Sequence, residues 1–248
     1  LARRFDGDAV TVAVDCETPA ATSGNVRAAL GPDTDEVVYL TSHVDAHDVA
    51  EGAMDNGAGT AMVVEAARAL AGMDLDTRIR VVPFGAEEVG LLGSAHEADS
   101  VDLDRVKAVV NVDGVCQGRT LRCHTHGFDG LADAVEAVAD RLDHPVDAPS
   151  GLNPHSDHWN FVAEGVPGVM VSSDSGDRGR GWGHTEADTL DKLEQRTFRE
   201  QAILVTALVA HLAAADVDVA HRPREAIASE LEAQNLAEGM RMTGDWPY

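Results

Sequence analysis

An α/β fold, a three-layer α/β/α sandwich around a mixed, mostly parallel sheet, is what the sequence predicts, on three observations. Short apolar runs alternate with longer amphipathic stretches, the pattern of strands exchanging with covering helices. The runs Val37-Val38-Tyr39-Leu40, Val81-Val82-Pro83-Phe84 and Val109-Val110-Asn111-Val112 are near-continuously apolar, as suits strands covered on both faces. No Pro/Gly/Ser-rich linker or repeat divides the chain, so residues 1–248 are read as one domain, with a polar tail over 222–248.

Taken in order, the β-branched run at 10–14 and the apolar run at 37–41 are expected strands. A glycine and a long Ala- and Val-rich amphipathic stretch make 57–71 a helix, and 79–84 returns to a strand. A helix is expected over 88–98, strands at 108–112 and 120–123, and an amphipathic helix at 130–142. The stretch 155–164 reads as a helix, 168–172 as a strand and 194–214 as a long closing helix. The tail is expected to be a loosely docked helix or a partner-binding extension.

Composition narrows the function. There are 43 Asp+Glu against 19 Lys+Arg, a formal net charge of −24, and the only lysines are Lys107 and Lys192. Such a surface repels nucleic acid and anionic membranes, so neither is an expected partner. Because the acids are scattered along the whole chain, adaptation to high salt is favoured over a field for cationic substrates, and the composition resembles that of halophilic proteins. Cys16, Cys116 and Cys123 are too few for a disulfide scaffold and read as free thiols. No apolar run reaches the length of a membrane span and no signal peptide is visible. That favours a cytoplasmic location. The opening Leu-Ala-Arg-Arg-Phe lacks an initiator Met and reads as mid-protein, so a truncated or processed start is expected and secretion stays open.

His43, Glu87, Glu88 and Asp113 each fall within a few residues of the end of an apolar run, and His184 lies in a Gly-rich loop after another. Ligands of open α/β sheets bind beyond the carboxyl ends of the strands, and the donors gathered here are imidazole and carboxylate. That is the composition of a metal site. In Ser42-His43-Val44-Asp45 the alternation of an extended strand lets Asp45 accept the free N–H of His43. Asp55, in Gly52-Ala53-Met54-Asp55-Asn56-Gly57, is either a helix N-cap or a carboxylate bridging two cations. Glu87 and Glu88 supply two carboxylates at one junction, one to hold metal and one to take a proton; Glu88 is assigned to the metal and Glu87 to the general base. Asp113 in Asn111-Val112-Asp113-Gly114 is a further ligand, and His184 in Gly183-His184-Thr185 completes the set. Asp188 is a supporting or helix-capping group.

Together, the ordered segments His-x-Asp, Gly-Ala-x-Asp-Asn, Glu-Glu, Asn-x-Asp and His-Thr-x-x-Asp-Thr, from His43 to Thr189, resemble the co-catalytic zinc aminopeptidase family M28. The resemblance implies two zinc ions per chain, with cobalt or manganese as substitutes. Asp55 would bridge them, His43 and Asp113 would hold one, and Glu88 and His184 the other. It implies Glu87 as the base, Asp45 as the orienter of His43, and a zinc-bridged water that releases N-terminal residues from a peptide substrate. The chain departs from the family where a tyrosine often precedes the final histidine: here stand Gly183 and, before it, Trp182, which leaves oxyanion stabilisation unassigned.

Other readings stay in view. A carboxypeptidase or dipeptidase needs an arginine clamp for the substrate carboxylate, for which Arg178 and Arg180 are available. A mononuclear, glutaminyl-cyclase-like transferase is disfavoured by Asp55-Asn56 together with His43, and a non-catalytic module would be expected to lack some of these residues. His124 and His126 read as strand-end histidines, His47 and His96 as ordinary ones, and His155, Asp157 and His158 as helix-start residues or pocket lining.

Overall fold

A computed structural model describes residues 11, 13–17 and 19–248. Its strands are β1 (Ala28–Leu30), β2 (Val37–His43), β3 (Arg78–Phe84), β4 (Val106–Val112), β5 (Leu121–His124), β6 (Val146–Asp147) and β7 (Gly168–Ser173). The helices are α1 (Ala58–Leu70), α2 (Leu92–Ser100), α3 (Asp129–Leu142), α4 (Trp159–Val162), α5 (Gln195–Leu212), α6 (Arg224–Ala233) and α7 (Ala237–Thr243). The strand expected at 10–14 falls partly outside the described residues, and residues 11, 13 and 14 are not in a strand.

The strands form one mixed sheet in the order β1-β3-β2-β4-β7-β5-β6. β3, β2, β4 and β7 are mutually parallel. β1 joins β3 antiparallel, and β5 joins β7 antiparallel while running parallel to β6. All seven residues of β2 are buried, because their period-2 alternation feeds two cores. Val38 and Leu40 pack in one core with Met62 and Val63 of α1 and Leu204 and Val205 of α5. Val37 and Tyr39 pack in the other with Ala98 of α2 and Phe161 of α4. Helices therefore cover both faces of the sheet.

Two helices begin later than their sequence suggests. α2 starts at Leu92 rather than near residue 88, since Ala86, Gly90 and Leu91 take positive φ and the intervening turn is closed by Leu92 N–H on the Ala86 carbonyl at 3.0 Å. Glu87 and Glu88 thus sit in a turn between strand and helix. The stretch expected as a helix at 155–164 is helical only over Trp159–Val162, because Ser156 takes φ 83°. The polar tail forms α6 and α7, which bury Ile227, Leu231, Ala237 and Met240.

Candidate metal centre

Three adjacent parallel strands deliver the first part of the site. β2 ends on His43, whose register partner in β3 is Phe84. The turn carrying Glu87 and Glu88 follows β3, and Asp113 follows the last residue of β4. Asp55 comes from the irregular turn Ala53–Gly57 ahead of α1, where Asp55 and Asn56 leave helical geometry and their peptide bond is cis. Asp55 is not the N-cap: that position belongs to Gly57, with no side-chain cap bond. His184 comes from the long loop between β7 and α5.

These side chains converge. His43 Nε2 lies 3.2 Å from Asp55 Oδ1 and 3.4 Å from Asp113 Oδ1. His184 Nε2 lies 3.2 Å from Asp55 Oδ2 and 3.0 Å from Glu88 Oε2. Asp55 therefore offers one oxygen to each of two triads, His43–Asp55–Asp113 and Asp55–Glu88–His184, both compact enough to hold a metal ion. A third grouping, His43 with Glu87 and Glu88, places the expected base against the first histidine. Glu88 Oε1 is buried without a hydrogen-bond partner, an acceptor that a cation would satisfy. Imidazole and carboxylate donors in two triads suit zinc.

Three supports hold the donors. His43 Nδ1 donates to the backbone carbonyl of Asp45 at 3.0 Å, which leaves Nε2 free to face the site. The Asp45 carboxylate, expected to take that N–H, stands 3.6 Å away. It accepts instead from the backbone N–H groups of Glu87 and Glu88, each at 3.1 Å, because the turn after β3 presents both amides to it. Asp188, fully buried, accepts from the amides of Met54 at 2.8 Å and Asp55 at 3.0 Å and so fixes the turn that carries Asp55. Asn111, buried in β4, accepts from Thr41 Oγ1 and donates to Ser156 Oγ, both at 2.8 Å. Sequence reasoning missed this bond to Ser156; its signal was a lone amide within the apolar run Val109-Val110-Asn111-Val112.

Crowding shifts the ionisation of these groups. Burial, reinforced by the neighbouring carboxylates Asp113, Asp157 and Glu88, pushes Glu87 up to about 8 against the lowering effect of His43. Burial also raises Glu88, with Asp55 adding to it. Burial would raise Asp45, but the nearby His43 ring and the bonds from the two amides hold it at about 2. His43 goes the other way: burial opposes its charge, yet Asp113, Asp45 and Asp55 outweigh that and raise it.

The remaining candidates divide. His47 stacks on His184, ring centroids 4.8 Å apart and planes 19° apart. His155 lines the cavity in front of the centre, a space of about 580 Å³ that also meets Gly114, Met170, Ser172 and Arg180. Arg180 Nη1 contacts the ring of His184, whereas Arg178 is bound to the carbonyls of Ser175 and Gln117. Trp182 is half exposed, its ring under the Lys192 ammonium, and is not among the residues lining that cavity. His126 and His158 form a buried pair with Nε2 atoms 3.1 Å apart, and His96 is exposed. Cys116 and Cys123 are buried free thiols. No described helix is long and apolar enough to cross a membrane.

Comparison with known proteins places the chain in a family. The profile of Peptidase family M28 matches residues 25–209. Aminopeptidase YwaD of Bacillus subtilis is 30% identical over 186 residues, which cover 70% of this chain and 40% of that protein. Among solved structures, the zinc aminopeptidase BSAP from Bacillus subtilis superposes with a TM-score of 0.71 at 27% identity, over 79% of this chain and 52% of its own. The aminopeptidase from Aneurinibacillus sp. strain AM-1 gives 0.69 at 30% identity, over 80% and 50%. The chain spans about half the length of these relatives, or less. With the mixed sheet, the convergent donors and the profile match in agreement, the chain belongs to peptidase family M28.

Proposed function

We propose that this chain is a metal-dependent exopeptidase unit that releases residues from the amino end of peptides, with two zinc ions shared by His43, Asp55, Glu88, Asp113 and His184. The observation that carries the reading is the division of Asp55, one carboxylate oxygen beside His43 and the other beside His184. His43 and Asp113 would hold one ion, Glu88 and His184 the other, and Asp55 would span them. What a pair of zinc ions supplies in such a cradle is Lewis acidity, polarising the scissile carbonyl and acidifying the attacking water. The names of the relatives, aminopeptidases in each case and a zinc aminopeptidase in that of BSAP, support the same end of the peptide.

The chain's own residues do the rest. Glu87, partly buried beside His43 and Glu88, takes a proton from the attacking water and returns it to the leaving amine. Asp45 holds the backbone of that glutamate and of Glu88, so base and ligand move as one unit. The wall beside Met170 and Ser172 holds the substrate.

Metal analysis tests the centre: about two zinc per chain is expected, and a single tightly held ion would shift the reading to mononuclear chemistry. Aminoacyl-anilides and N-blocked peptides test the polarity of cleavage, since turnover confined to blocked peptides would sink it. A carboxypeptidase is the second reading, for which Arg180 stands on the cavity wall; cleavage of N-blocked peptides that is lost on Arg180→Met while zinc content is retained would support it.

A further inference from the structure

Beyond residue 209, where the family match ends, the chain turns back toward the catalytic cavity. Its last residues are pinned there. The Asp245 amide donates to the Met240 carbonyl at 2.8 Å. The Arg241 guanidinium lies 4.1 Å from the centre of the Trp246 ring, and Trp246 packs against the main core. Two residues later the Tyr248 hydroxyl donates to the Ala163 carbonyl at 2.8 Å, just past α4. Held on both sides, Asp245 lines the same cavity of about 580 Å³ as Glu87, Glu88 and His184.

The charge left on that wall is specific. Asp55, Glu87, Glu88 and Asp113 also line the cavity, but they converge on the candidate centre. Arg180, the arginine of the lining, is engaged by the ring of His184. Asp245 accepts a bond from Thr243 Oγ1 at 2.6 Å and joins none of the ion pairs among the described residues. Exposed on the cavity wall, it is the one acid of the lining that stands outside both the candidate centre and the ion pairs among the described residues. A carboxylate at the wall of a concave site attracts a cation entering it and repels an anion.

We propose that Asp245 is a specificity-determining residue, selecting peptides whose N-terminal residue carries a lysine or arginine side chain. The assignment rests on the aminopeptidase reading, in which the terminal residue is the one enclosed by the cavity. A segment outside the family match would then set this chain's substrate class, while the sheet and its donors set the chemistry.

The test compares kcat/KM for lysyl- and methionyl-p-nitroanilide, side chains of similar length with and without charge. Asp245→Asn should lower the lysyl-to-methionyl ratio about 2- to 5-fold, the range of a single solvated ion pair. Asp245→Lys should lower it further, and added salt should shrink the wild-type preference. The proposal is overturned if both substrates turn over and neither variant changes the ratio. Failure of the metal-loaded protein to cleave any anilide defeats the aminopeptidase reading instead. Calorimetric binding of lysine methyl ester against norleucine methyl ester then decides the role of Asp245, and equal affinities in wild type and Asp245→Asn would overturn it.

Discussion

At the scale of single residues, the site is built as much by groups that never face the cavity as by those that do. Asp45 grips two consecutive amides rather than an imidazole, and Asp188 grips two more. Removing either leaves the donors present but free to drift. Asp188→Ala should therefore weaken zinc binding about 10- to 100-fold, read by competition with a chelator. Glu87→Gln should behave oppositely: full zinc content, with kcat reduced about 10²- to 10⁴-fold. Retained turnover would show that Glu87 is not the base. His43, Glu88 and Asp113 stood out in the sequence because each falls within a few residues of the end of an apolar run, whereas Asp55 allowed two readings and His184 lies in a Gly-rich loop. Asn111–Ser156 and Asp245 were not, since each depends on segments far apart in the chain meeting in space.

Among the elements, the parallel strands β2, β3 and β4 were legible from the near-continuous apolar run each contains, and α1 and α5 from their length. β1 and β6 were not, because three and two residues carry no period. The late start of α2 escaped because left-handed backbone at Ala86 and Leu91 overrides good helix formers. The contact between α1 and β4 gives the sharpest test at this scale. A Cβ at Gly59 would meet Asn56 Oδ1 at 2.1 Å and the Val112 carbonyl at 2.6 Å. It would also displace the Asn56 side chain from its bond to that carbonyl. Gly59→Ala should cost about 1–3 kcal/mol and lower Tm. It should also weaken zinc binding, because Asn56 and Val112 each adjoin a candidate ligand.

Over the whole molecule, charge and protonation set the conditions of stability. Burial holds His126 down to about 4 and His158 well below its usual value, with neighbouring histidines adding to the effect. The unfolded ring binds a proton near pH 6.5. Between that pH and about 4 the unfolded chain carries more protons than the folded one, so stability falls as pH falls. The metal-free protein should lose about 3 kcal/mol across that interval from His126 alone, and His126→Asn should flatten the slope of Tm against pH. A net charge of −24 repels itself, so Tm should rise as KCl is raised from tenths of molar to molar.

The clamp from Asp188 to the turn at Met54 and Asp55 closes a loop of more than 130 residues. During synthesis the chain emerges from its amino end. His43, Asp55, Glu88 and Asp113 are therefore all outside the ribosome well before residue 188. Until then the first triad has its donors but the bridging carboxylate has no grip, and His184 is still to come. On the two-ion reading, loading of the second ion thus waits for residues 184 and 188 to emerge, and a nascent chain stalled before His184 should bind no more than one zinc.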